Sequence, residues 1–190
     1  MKRQLLPALL SCLLVACLPS PDYLESVLEF QQHKNDGDLQ SVLELFADEP
    51  SLHFGPLGTI NGLADVRRIL EYDLALNTHL EFRDCVANGL EVSCRVIESN
   101  DWLKTVDIDS ITHDENRFTF TADGHIESVS AALSAESAQL LGTAMAEFHE
   151  WATTHKPEEY GDLFSDEGNF VYSQENAEKV LALLRIWRNK

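Results

Sequence analysis

The side chains best suited to acid–base chemistry in this chain are histidines, because an imidazole titrates near neutral pH. Three of the 7 stand out. His53 alternates with Leu52 and Phe54 and so faces away from both; His79 stands beside Glu81 at the entrance to an extended run. His113 lies in the polar stretch Thr112-His113-Asp114-Glu115. Each is read first as an ordinary exposed or hydrogen-bonded histidine. Asn100-Asp101-Trp102 places a carboxylate beside an indole, a pairing that can orient and cover an apolar molecule. There is no HExxH and no clustered His/Cys spacing, so no metal is expected. There is also no GxSxG, P-loop or dinucleotide fingerprint, so no cofactor is expected. Gly55-Pro56-Leu57-Gly58 is turn chemistry rather than a phosphate cradle, because no strand–loop–helix setting accompanies it.

The cysteines point to export. Lys2 and Arg3 make a short positive n-region, and Leu5 to Ala16 carries no charge, a stretch too short to span a bilayer. Leu14-Val15-Ala16-Cys17 resembles the bacterial lipobox, which implies a leader over residues 1–16, lipid on Cys17 and a proline-stiffened linker over 17–21. Acyl chains gain about 0.8 kcal/mol per buried CH₂, so such an anchor suffices for membrane attachment without a spanning helix. Leu18 is not the aspartate that retains lipoproteins in the inner membrane under enterobacterial-type sorting, so the outer membrane, facing the periplasm, is the expected address. Cys85 and Cys94 flank Asn88-Gly89. A hairpin pairing 85 with 94 sets Asp84 opposite Arg95 and Phe82 opposite Ile97, and a disulfide follows. A tight Asn-Gly turn would instead pair 85 with 92 and separate the cysteines. Without a CxxC, the bridge would be a staple rather than a redox site.

Charge sets a second limit. With 14 basic against 32 acidic residues the net charge is −18, and loss of Lys2 and Arg3 with the leader makes the processed chain more acidic still. Such a body is repelled by phosphate backbones and anionic headgroups, so nucleic acid is not expected as a partner, and contact with membrane is expected through the lipid alone.

The elements that must position these residues come in two blocks. Apolar spacing predicts helices over 22–34, from an Asp38 cap through Phe46, and over 63–76. After Asn77 the period changes, and strands are predicted over 78–87, 90–104, 117–122 and 125–133. Helices followed by a run of antiparallel strands argue an α+β fold. Residues 134–190 then predict a helix ending near Pro157, an extended piece over 169–172, and a final helix capped by Ser173.

Asn35-Asp36-Gly37-Asp38-Leu39, Leu43-Glu44-Leu45-Phe46-Ala47-Asp48-Glu49, Gly62 and Asp123-Gly124-His125-Ile126 together resemble the NTF2-like superfamily of ketosteroid isomerase-like and SnoaL-like proteins. The resemblance covers residues 22–133. It implies three helices packed in a curved antiparallel sheet, a cone with an interior pocket, with 134–190 as a helical extension packed on it. It also places Asp101 and Trp102 at the pocket rim, or else Trp102 packs under the C-terminal extension, with Phe54, Phe118 and Phe120 as lining or as plain core. The isomerase tyrosine, base and aspartic acid would fall near Phe30, Phe54 and Asn116, so that chemistry is disfavoured. Three functions follow in order: a lipid-anchored module holding a small hydrophobic ligand, an interaction domain that forms a homodimer through its outer sheet face, and a SnoaL-like isomerase, cyclase or dehydratase using a His/Asp pair. A buried, paired histidine or carboxylate in the pocket would favour the enzyme.

Overall fold

The computed structural model describes residues 22–54 and 58–189. The leader, Cys17, the linker and the Gly55-Pro56 turn lie outside the described residues.

Helix α1 (Tyr23–Asp36) starts where the Asp22 carboxylate accepts the N–H groups of Leu24 and Glu25, and ends at Gly37 with φ of 73°. Asp38 caps α2 (Leu39–Glu44). The helical pattern through Phe46 is cut short. Strand β1 (Phe46–His53) begins there, because Phe46 pairs with Ile126 and the Ile126 N–H donates to the Leu45 carbonyl. Pairing with a distant strand overrides the local period. Pro50, which would break a regular ladder, sits where the register jumps from Phe46 opposite Ile126 to Ser51 opposite Ser128. Strand β2 (Thr59–Asn61) and helix α3 (Leu63–Ala75) follow.

The remaining strands are β3 (His79–Asn88), β4 (Glu91–Ser99), β5 (Ile111–Phe120) and β6 (Ile126–Leu133). One sheet holds all six in the order β2-β1-β6-β5-β4-β3. The β1–β6 pairing is parallel, so the sheet is mixed rather than wholly antiparallel. Strand β4 is shorter than the sequence suggests. Asn100 turns the chain out of it by capping α4 (Asp101–Thr105), its Oδ1 accepting the Leu103 N–H at 2.8 Å. Strand β5 in turn starts at Ile111, ahead of the strand predicted over 117–122.

Cys85 and Cys94 are joined by a disulfide. Near the turn the register is the one that brings them together, with Asn88 opposite Glu91 and Val86 opposite Ser93. Beyond the cysteines it slips by one. Asp84 takes φ of 53°, and the next pairs are Arg83 with Arg95 and Phe82 with Val96. The expected partners Asp84–Arg95 and Phe82–Ile97 are therefore not formed, because Asp84 is the extra residue of a bulge.

Two cores result. The first joins α1, α2 and α3 to the inner sheet face, and its deepest part is aromatic: Phe30 packs on Phe46, Phe82 and Phe118 with ring centroids 5.4–6.2 Å apart. The second is built by the extension, α5 (Ala135–His155), α6 (Pro157–Gly161) and α7 (Gln174–Arg188), with Leu76 and Val106 of the preceding chain. Helix α3 serves both: Val66, Ile69 and Leu70 enter the first core, whereas Tyr72, Ala75 and the following Leu76 meet the second. An Arg188–Asp107 ion pair ties the end of α7 to the loop after α4.

Candidate functional site

Between the two cores lies a cavity of about 480 Å³. Its sheet wall is the inner face at one end: Glu98 of β4, Ile111 and His113 of β5, Ala131 and Leu133 of β6. Helix α3 contributes Ile69, Tyr72 and Asp73, and Trp102 of α4 stands at the side. The extension supplies the opposite wall through residues such as Leu141, Phe148, Tyr160, Phe170 and Tyr172. The extension thus faces the open end of the sheet, not its back.

Alternation explains most of that wall. Along β4, Val92, Cys94 and Val96 are buried, and Glu98 continues the same face. On β5, Phe118, Phe120 and Asn116 face inward, and simple alternation would turn His113 outward. An extra residue intervenes: Cys94 pairs with Asn116 but Val96 pairs with His113. The bulge reverses the parity, so His113 stands on the face of the buried Val96. It meets Glu98 diagonally, with Nε2 and Oε2 3.0 Å apart, while Asn100 Nδ2 donates to Glu98 Oε1 at 2.9 Å. The other ring nitrogen of His113, Nδ1, is buried with no hydrogen-bond partner among the described residues.

The second polar group is Asp73. Lys34 of α1 is buried behind the wall and its Nζ lies 3.0 Å from Asp73 Oδ2. Asp73 is deep in the fold, yet 29% of its side chain stays open because that surface faces the cavity. Burial pushes its carboxyl above the usual range; Lys34 opposes the shift and Glu98 adds to it. Burial likewise raises the phenols of Tyr72 and Tyr172, and the Asp73 charge raises both further. Tyr72, Phe170 and Tyr172 form an edge-to-face trio with centroids 5.1–5.6 Å apart.

The residues singled out in the sequence divide. Phe54 and Trp102 line the cavity, and Trp102 also packs against the second core. Phe118 and Phe120 do not line it: they are 0% and 1% exposed and fill the depth of the first core. Asp101 is also off the wall, its carboxylate taken by Asn77 and Lys104 at the surface. His53 is held between Ser51 and Thr59 at the β1–β2 edge, and His79 is exposed, so His113 is the member of that trio in the cavity. Of the three isomerase positions, Phe30 and Asn116 are buried in the fold and Phe54 is on the cavity wall. Glu98, Asp73, Tyr72 and Tyr172 were not foreseen as site residues. Asp73 had left a trace, an acid within the apolar stripe of Val66, Ile69 and Leu70. Among the described residues, no group of three or more His, Cys, Asp or Glu side chains is placed to hold a metal ion.

No protein-family model matches the chain, and no curated protein matches it. Solved structures do resemble it. SalBIII, an epoxide hydrolase/cyclase-like enzyme with a role in pyran ring formation in the polyether salinomycin, superposes with a TM-score of 0.54 at 18% identity, over 60% of this chain and 92% of that one. An NTF2-like protein from Cytophaga hutchinsonii gives 0.51 at 13% identity, covering 62% and 95%. A SnoaL-like protein from Burkholderia thailandensis gives 0.51 at 16% identity, covering 62% and 100%. The fold is NTF2-like. Identities this low carry the architecture and no activity. In this chain the depth of the NTF2-like sheet is filled with phenylalanine, and the open volume lies between that sheet and the helices α5 to α7.

Proposed function

We propose that this is an envelope lipoprotein whose NTF2-like sheet and helical extension together hold a small, predominantly apolar molecule. The cavity carries the reading. About 480 Å³ falls within the ~300–1,000 Å³ of small-molecule sites, and its walls are apolar and aromatic with a few polar groups at one end, the usual composition of such sites. The leader and the Leu14-Val15-Ala16-Cys17 motif support the address, and the disulfide is consistent with an oxidising compartment.

Native mass spectrometry of protein purified from periplasm without detergent tests the binding. An added mass that reproduces and is lost on denaturation is the expected result; a clean monomer without it counts against the reading, and a clean dimer favours an interaction domain. Labelling with a palmitate analogue, present in the full chain and lost in Cys17→Ala, tests the anchor.

A second reading has one observation behind it, the His113–Glu98 pair on the cavity wall. A histidine oriented by a carboxylate is the arrangement of a general base, and here it would act on the bound molecule in an isomerisation or cyclisation. Conversion of the co-purified molecule by the protein, abolished in His113→Gln while binding persists, would establish it; unchanged conversion in that variant would remove His113 from the reaction.

A further inference from the structure

We propose that the cavity selects an organic cation, an amine or quaternary ammonium carried on an apolar body, over neutral and anionic molecules of the same shape. The inference rests on the binding role proposed above and adds the charge of the ligand. Two carboxylates, Asp73 and Glu98, lie on the wall. Among the described lining residues there is no lysine or arginine. Lys34, close by, is spent on Asp73 and is buried behind the wall rather than on it. Among the described residues the Glu98 carboxylate is partnered by His113 and Asn100, so the polar end of the cavity is rich in acceptors and holds no lysine or arginine.

The aromatic side chains point the same way. Tyr72 is the neighbour of Asp73 in α3, and Tyr172 lies near enough to feel the Asp73 charge. Together with Phe170 they set a three-ring wall beside the acid, and rings beside carboxylates are the usual setting in which organic ammonium groups are recognised. A carboxylate-headed molecule such as a fatty acid would bring its charge against Glu98 in a partly desolvated site, with the Asp73 charge already offset by Lys34. The net charge of −18 adds a long-range bias of the same sense.

Isothermal titration with three rigid probes of one shape tests this: 1-adamantylamine, 1-adamantanol and 1-adamantanecarboxylate at pH 7 and moderate salt. The ammonium should bind with unit stoichiometry at least tenfold tighter than the alcohol, with the carboxylate weaker again. Glu98→Gln should cut the ammonium's advantage about fivefold or more. Asp123→Asn, which removes one charge from an exposed turn, should leave it unchanged. Should Glu98→Gln fail to fold, the ranking of the three probes on the unaltered protein decides. Equal binding of all three probes overturns the charge preference and leaves the cavity's binding role standing. An ammonium preference that survives undiminished in Glu98→Gln and in the double variant Glu98→Gln/Asp73→Asn traces to the surface and also overturns it. No binding of any probe counts against both.

Discussion

Replacing Lys34 with methionine isolates the electrostatics of the cavity wall. Methionine keeps much of the buried stem and removes only the charge, so the ion pair with Asp73 at 3.0 Å is lost without a large void. Unpairing one partner of a buried ion pair costs about 3–5 kcal/mol. Asp73 has 29% of its side chain open to the cavity, which reduces the penalty to roughly 2–3 kcal/mol. For a chain of this length that is about 4–12 °C in Tm. The loss must also depend on pH. Asp73 is already raised by burial, with Glu98 raising it and Lys34 holding it down, and Tyr72 and Tyr172 offer no charge to replace Lys34 near pH 7. Without Lys34 its folded pKa climbs further above the unfolded value. A carboxyl shifted in that direction contributes stability below its unfolded pKa that is lost as pH rises through the folded one. The deficit of Lys34→Met should therefore be large at pH 7 and shrink by up to about 1.4 kcal/mol per unit as the pH falls toward 4.5. Adding Asp73→Asn should erase the pH dependence. Urea unfolding followed by tryptophan fluorescence at pH 4.5, 5.5 and 7 reads all three proteins. A deficit that is flat across this range, or absent at pH 7, would refute the account.

Other consequences are separable. Cys85→Ala with Cys94→Ala opens a ring of short sequence separation, for which the chain-entropy model allows about 2–3 kcal/mol; the hairpin already holds its ends together, so a loss of about 1–2 kcal/mol in denaturant titration is expected. Phe118→Ala empties a fully buried position and should cost about 3–5 kcal/mol, whereas Trp102→Ala, at the cavity side, should weaken adamantyl-probe binding more than it lowers Tm. Asn176 is 5% exposed and its Nδ2 donates to the carbonyls of Leu163 and Val171 at 3.2 and 2.8 Å. Asn176→Leu removes this donor from both carbonyls, of which Leu163 keeps the Val171 N–H, with a loss of about 1–3 kcal/mol, and hydrogen exchange should quicken first between residues 163 and 171.

The parts of the fold legible from the sequence were those governed by local signals. The Asp38 and Ser173 caps, the Gly37 stop and the α3 stripe each act within a few residues, and each formed where its chemistry indicated. The paired cysteines were legible for the same reason, since the turn that brings them together lies between them. What escaped was set by distant partners or by bulges. Phe46 looks helical in isolation and joins β1 only because Ile126 is there to receive it, the Ile126 N–H donating to the Leu45 carbonyl just before. The cavity depended on a parity change: one extra residue in β5 puts His113 on the inner face, and alternation alone gives the wrong side. Asp73 was visible as an acid on an apolar stripe, and Lys34 lies on the buried α1 stripe of Val27 and Phe30, but no local signal joins the two helices.

The pairing of β1 with β6 has a bearing on how the chain reaches this shape. Phe46 and Ile126 are neighbours in the sheet but lie far apart along the chain, so the loop they close encloses β2, α3 and the strands β3 to β5. Contacts of that range are slow to form, because the entropy of closing the loop is lost before any pairing repays it. The β3–β4–β5–β6 meander is joined by two turns and the local α4 connection and can assemble early, whereas β1 has no ladder on one side until residue 126 and beyond are available. A chain still emerging, or cut short before β6, therefore presents Leu52 and Phe46 on an unpaired strand edge, the state in which association with other chains competes with folding. The vulnerable period of this protein's life lies between the synthesis of its first strand and that of its last.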